Sequence, residues 1–168
     1  MKKIFVVVAL LFTHMTPVHA SYLPHCDGIK VEASFTKGTK LQCLANSDLI
    51  AFESLRGPMI VNFWGSWCGP CLDEIPYLRA FHKKYPKTPL IGVDVEERTK
   101  ENGRAFAMKY KMTWPHLYDA TGSTRTISGM GVPVTLFIDE KGKIVHRKIG
   151  VLRSAKELEV LAKKYLKP

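Results

Sequence analysis

Two cysteines, Cys68 and Cys71, stand three residues apart in the stretch NFWGSWCGPCLDEIP (62–76), with Gly69 and Pro70 between them and Trp64 and Trp67 leading in. Thiols at this spacing at the start of a helix share one face and lie within reach of each other. Cys68 falls on a strand-to-helix turn, where unpaired backbone N–H groups and the positive end of the helix dipole favour a thiolate. A thiolate is the attacking species in disulfide exchange. Cys71, one turn deeper, is the expected resolving thiol. Pro70 suits a first turn because its missing N–H has no role there, and Gly69 keeps the approach uncrowded. Other uses of the pair fit less well. A zinc site wants a second C-x-x-C or a paired histidine motif, and only the isolated Cys26 and Cys43 are available. A bridge spanning three residues constrains almost no loop entropy, so a purely structural role gains little. A peroxide-reducing cysteine usually lies in a family-specific loop that this segment does not resemble. The pair reads as a working redox dithiol.

Such a pair needs a strand to carry it and a helix to cap. Residues 58–63 (PMIVNF) form a short apolar run of buried-strand type. Residues 71–85 read as a helix with Cys71, Ile75, Leu78 and Tyr85 on one face, stopped by Pro86. A second buried strand is expected over 90–95 (LIGVDV), and a helix over 99–111 that carries Phe106 and Tyr110 and is weakened by Gly103. Strands at 134–139 and 144–149 are joined by a Glu140-Lys141-Gly142 hairpin signal, and a last helix carries Leu158, Leu161, Ala162 and Tyr165. This order predicts an α/β fold with a mixed central sheet flanked by helices. Residues 21–47 are polar and irregular, with at most a short hairpin.

The chain of 168 residues is 46% apolar, enough for one domain with a real core. Its first twenty residues read separately. Lys2 and Lys3 precede an apolar stretch from Ile4 to Thr13, and Val18-His19-Ala20 supplies small residues where a signal peptidase reads. The run is shorter than the roughly 20 residues that span a bilayer. The expected organisation is therefore a signal peptide at 1–20, an extension at 21–47 and the main domain at 48–168, with the protein exported, either secreted or at the outer face of the cytoplasmic membrane. Removing Lys2 and Lys3 leaves 23 basic side chains against 15 acidic ones, a net +8. The lysines scatter over predicted helix faces, and no basic stripe interleaved with aromatics argues for nucleic acid. In an oxidising compartment Cys26 and Cys43 are expected to pair, closing a loop of about 17 residues. A lipid-modified Cys26 is disfavoured by the preceding Leu23-Pro24-His25. His82, His116 and His146 lack ligand spacing and are expected at the surface or half-buried. Trp64 is expected to face the core and Trp67 the substrate groove.

WCGPC (Trp67–Cys71) after a buried strand is the active-site motif of the thioredoxin superfamily. The strings RGPMIVNFWGSWCGPCLDEIPYL, GVDVEE and GMGVPVTLFIDEKGKIVHRKIG resemble its secreted TlpA/ResA-like branch, over roughly residues 48–166. The resemblance implies a thioredoxin-like fold, an exposed nucleophile at Cys68 and a buried partner at Cys71. Pro133 matches the proline that the family holds cis beside the cysteines, turning Val132 toward an extended substrate chain. Val134 follows it where this branch more often has threonine. Glu74 matches an acid three residues after the second cysteine, able to move a proton to or from Cys71; a solvated helix acid remains the alternative. Asn62 replaces the buried Asp of cytoplasmic thioredoxins, and Pro76 matches the kink of the active-site helix.

The function implied is an extracytoplasmic thiol–disulfide oxidoreductase that reduces exported proteins such as apocytochrome c. It is re-reduced by a membrane thiol donor, calls for no cofactor or metal, and works as a monomer. Two alternatives stay open: a disulfide-forming oxidant or isomerase, and a non-catalytic module of the same fold that binds metal or a client chain.

Overall fold

Strand β3 (Met59–Trp64) is buried along its whole length because both of its faces are covered. Ile60 and Trp64 point into one apolar core, and Met59, Val61 and Phe63 into another, as the two-residue period of a strand requires. The computed structural model describes residues 22–35 and 37–166. Around β3 it places β1 (Lys40–Cys43), β2 (Leu49–Ala51), β4 (Leu90–Val95), β5 (His116–Asp119), β6 (Val134–Ile138) and β7 (Ile144–Ile149), with helices α1 (Gly69–Lys84), α2 (Lys100–Lys109), α3 (Arg125–Ser128) and α4 (Ala155–Tyr165). The seven strands form one sheet in the order β2-β1-β5-β4-β3-β6-β7. β3, β4 and β5 run parallel, and antiparallel strands extend the sheet at both edges. The segment 1–20, read as a signal peptide, lies outside the described residues. Among the described residues no helix is long and apolar enough to cross a membrane.

The crossovers β3–α1–β4 and β4–α2–β5 step the same way across the sheet, so right-handed connections put α1 and α2 on one face. Their side chains agree. Cys71, Ile75, Leu78 and Phe81 of α1, Ala107 of α2, and Leu158 and Ala162 of α4 share one core. The opposite core has no member from these three helices. It is closed by Cys26 and Ile29, by Phe52 and Leu55 just after β2, and by Ile127 of α3 packed alongside. The extension is thus the cover of the second face.

The mixed α/β architecture is the one expected. β3, α1, β4, α2, β6 and β7 start and stop within two residues of their expected positions, and α4 carries the expected Leu158, Leu161, Ala162 and Tyr165. β5 and α3 have no counterpart in the sequence reading. β5 carries buried His116 and Asp119, polar side chains that hide its strand pattern. The boundary drawn at residue 48 falls between the hairpin strands β1 and β2, and β1 also pairs with β5. Gly103, read as a weak point of α2, has a packing reason. A Cβ there would lie 1.7 Å from Oδ2 of Asp94, so only glycine lets this helix turn sit on β4.

Candidate active site

Cys68 is the N-cap of α1, and its sulfur accepts the backbone N–H of Cys71 at 3.1 Å. The sulfur therefore sits among the free N–H groups of a helix start, with Pro70 in the first turn. Cys68 and Cys71 are joined as a disulfide. The expectation of an exposed Cys68 needs correction: its exposure is 4%, against 1% for Cys71. The Cys68 sulfur is bonded to Cys71 and accepts the Cys71 N–H at the helix start, so little of it meets solvent. Gly69 is exposed, and a Cβ there would meet nothing within 4 Å.

Trp67 stands beside the pair and is 55% exposed, while its indole N–H donates to the Val95 carbonyl at 3.2 Å. Trp64 is buried and stacks on Phe106 of α2 with ring centroids 5.2 Å apart. A groove lies between Trp67 and Val132, rimmed by Met130 and Gly131. The Val132–Pro133 peptide is cis, and Pro133 leads directly into β6. Pro76 lies inside α1.

Beneath the disulfide runs a polar row across four strands: Thr135, Asn62, Gly92 and His116 are neighbours in register. Glu74 reaches this row from α1 and is buried, which removes the solvated-surface alternative. Its Oε1 accepts from Asn62 Nδ2 at 2.7 Å and its Oε2 from the Leu152 backbone N–H at 2.9 Å. Asn62 gives its other amide hydrogen to Thr135 Oγ1 at 3.2 Å. Burial pushes the Glu74 carboxyl above its ordinary value, opposed by the Leu152 N–H, by Asn62 and by the charge of Lys148.

Three buried groups near this row were not read as site residues from the sequence. His116, expected at the surface or half-buried, is enclosed because the Trp64 indole N–H donates to its Nδ1 at 3.2 Å across Gly92. Nδ1 is then the acceptor, so Nε2 carries the hydrogen and donates to the Met112 carbonyl at 3.2 Å. Burial pulls the His116 pKa down to about 4. A Cβ at residue 92 would come within 1.9 Å of His116 Nδ1, so this pair requires glycine on β4. Glu97 accepts the Ser66 backbone N–H at 3.0 Å and so ties the turn before Cys68 to the end of β4. Asp94, on β4, is fully buried, and neither carboxylate oxygen has a hydrogen-bond partner among the described residues. Only the GVDVEE string pointed to these two acids, as part of a resemblance and not as site groups.

On the other side of the sheet the structure joins Cys26 to Cys43, 17 residues apart in sequence. Among the described residues no group of three His, Cys, Asp or Glu side chains could hold a metal ion.

The AhpC/TSA family pattern matches residues 36–147. The chain is 35% identical over 104 residues to a protein called thioredoxin-like protein YneN from Bacillus subtilis, covering 60% of this chain and 61% of that one. It is 32% identical over 119 residues to the thiol-disulfide oxidoreductase ResA of Bacillus anthracis, covering 68% of each. Among solved structures, StoA from Bacillus subtilis superposes with a TM-score of 0.60 at 26% identity, over 73% of this chain and 93% of that one. The chain spans about six tenths of the length of the first curated relatives it matches.

Proposed function

This chain belongs to the AhpC/TSA family with a thioredoxin-like fold, and from that premise we propose that it is a thiol–disulfide oxidoreductase reducing disulfides of exported proteins through Cys68 and Cys71. The observation that carries the reading is the Cys68 sulfur at the α1 N-terminus, bonded to Cys71 one turn on. In the reduced protein the same N–H groups stabilise a Cys68 thiolate. That thiolate attacks one sulfur of a substrate disulfide, whose S–S bond breaks, and the departing sulfur takes a proton. Cys71 then gives up its proton and attacks the Cys68 sulfur. The Cys68–Cys71 bond forms, the second substrate thiol leaves, and two electrons have passed to the substrate.

Trp67, Val132 and Pro133 are the proposed contacts for the substrate chain, which lies in the groove between Trp67 and Val132 with its backbone along residue 132. Glu74 is the proposed proton-handling acid for Cys71, acting through the pocket it shares with Asn62. Cys26–Cys43 is the proposed structural disulfide, held in the second core away from the chemistry. The signal-like segment and this second disulfide both support an extracytoplasmic setting. There, substrates such as apocytochrome c would be reduced, and a membrane-bound dithiol would restore Cys68 and Cys71. The reduction potential of the pair tests the direction of flow. A value near −270 mV, that of thioredoxin, supports a reductase, and one near −120 mV would make it an oxidant.

A further inference from the structure

Asp94 is an acid that the reaction above does not use. It is fully buried, and neither carboxylate oxygen has a hydrogen-bond partner among the described residues. A buried carboxylate without donors is costly, and such groups are rare in folded proteins. The chain nevertheless accommodates this one with care. Gly103 of α2 is pressed onto its carboxylate, where any larger residue would collide with Oδ2.

The groups around it leave it without a counter-charge. On β3 its register partner is Trp64, and on β5 it is Tyr118. The segment after β4 brings Glu97, a second acid, whose backbone carbonyl accepts from the Tyr118 hydroxyl at 3.3 Å. On α2, Glu101 and Arg104 are exposed, and the Lys100 ammonium is spent on the Asn46 carbonyl. No salt bridge among the described residues includes Asp94.

Its place in the sheet is close to the chemistry. Asp94 lies near the C-terminal end of a parallel strand, where open α/β sheets put their ligands. It faces the same helical layer as the disulfide, since Leu90, four residues earlier on β4, shares a core with Cys68 and Cys71. Trp64, one strand spacing away, leads into the turn whose Cys68 N–H bonds to the Gly65 carbonyl. These spacings put the carboxylate on the order of 10 Å from the Cys68 sulfur.

We propose that Asp94 is a positioning acid of the redox site, whose ionisation and the reduction of Cys68–Cys71 are coupled so that each opposes the other. The proposal rests on the reading of Cys68 and Cys71 as a working dithiol. Opening the disulfide takes two electrons from a dithiol reductant and leaves two sulfurs. These bind two protons, or one where Cys68 stays a thiolate. A negative sulfur then makes a second negative charge on Asp94 less favourable. Burial, with Glu97 adding to it, already pushes the Asp94 pKa up to about 8. At about 10 Å and an effective dielectric constant of about 20, the thiolate adds about one pH unit, a tenfold change in the ionisation constant. Between the two midpoints, reduction draws a further fraction of a proton onto Asp94, and by reciprocity the potential falls more steeply with pH there.

The test uses the full chain. Carboxyl-carbon NMR follows Asp94 from pH 6 to 10 in the oxidised protein and in the protein reduced with dithiothreitol. The expected midpoint is near 8 when oxidised and about one unit higher when reduced. In parallel, the potential of the wild type should fall more steeply than that of Asp94→Asn between about pH 8 and 9. Equal midpoints in the two redox states would overturn the proposal, as would equal slopes in the wild type and a folded Asp94→Asn. The NMR readout needs no variant, so it decides the matter even where Asp94→Asn does not fold. Insulin reduction by the same wild-type sample tests the functional reading separately.

Discussion

Glu74 has its two oxygens divided between an amide and a backbone N–H, and that division decides what its replacement does. Glutamine keeps the shape but offers only one acceptor oxygen. One of the two donors, Asn62 Nδ2 or Leu152 N–H, then faces an NH2 group. We expect Glu74→Gln to cost about 1–3 kcal/mol in a denaturant titration, the usual cost of a buried donor left unpaired. Its effect on chemistry is separable. Burial raises the Glu74 carboxyl, and its ionised form opposes a thiolate at Cys71. Removing the charge should therefore lower the Cys71 pKa and shift the pH–rate profile of insulin reduction toward acid, with slower turnover. An unchanged profile and unchanged cysteine pKa values would make Glu74 a purely structural acid. The spacing of Cys71 and Glu74 hinted at this role in the sequence. The partners could not be seen there, because Leu152 is 78 residues away and contributes only a backbone group.

At the scale of elements, the chain around the cysteines was legible because its patterns are local. β3 and β4 are largely apolar runs, each interrupted once, by Asn62 and by Asp94, as strands covered on both faces read, and α1 shows a helical period with a capping turn in front. β5 was not legible. His116 and Asp119 are buried by hydrogen bonds to Trp64 on β3 and to the loops flanking β5, Met112 for the one, Ser123 and Thr124 for the other, and these partners leave no apolar pattern in the strand itself. The extension carries the short hairpin strand β1 and is otherwise irregular, as expected, but its packing role was not legible. Its residues look polar and irregular, yet Cys26 and Ile29 close a core that no long helix covers. The Cys26–Cys43 bridge holds that cover across 17 residues, a loop length worth about 3 kcal/mol. Replacing both cysteines by serine should lower stability by roughly that amount and leave the potential of Cys68–Cys71 unchanged. Thiol counting by mass spectrometry after mild reduction of the wild type should find two free thiols, at Cys68 and Cys71. Four would mean that the second bridge is no more resistant than the first.

For the molecule as a whole, two buried groups set opposing pH dependences. Asp94 goes from an ordinary 3.8 to about 8 in the fold, so the folded chain keeps a proton that the unfolded chain releases, and stability falls as pH rises through that window. His116 goes from 6.5 down to about 4, so the unfolded chain binds the extra proton, and stability falls as pH drops through that window. Between about pH 4 and 6.5 the two slopes oppose each other. Above 6.5 only the Asp94 slope remains of the two. Unfolding free energy should therefore fall by about 2 kcal/mol between pH 6.5 and 8. Urea titrations at the two pH values measure it, and Asp94→Asn should remove most of the fall. A wild type equally stable at both would mean that Asp94 is already ionised in the fold.

The central claim is that Cys68 attacks a substrate disulfide and Cys71 resolves the product. Trapping tests it most directly. The reduced Cys71→Ser variant, mixed with insulin and quenched with an alkylating agent, should yield a covalent complex that mass spectrometry places at Cys68, while Cys68→Ser yields none and does not turn over. A complex formed through Cys26 or Cys43, or sustained insulin reduction by Cys68→Ser, would contradict the account.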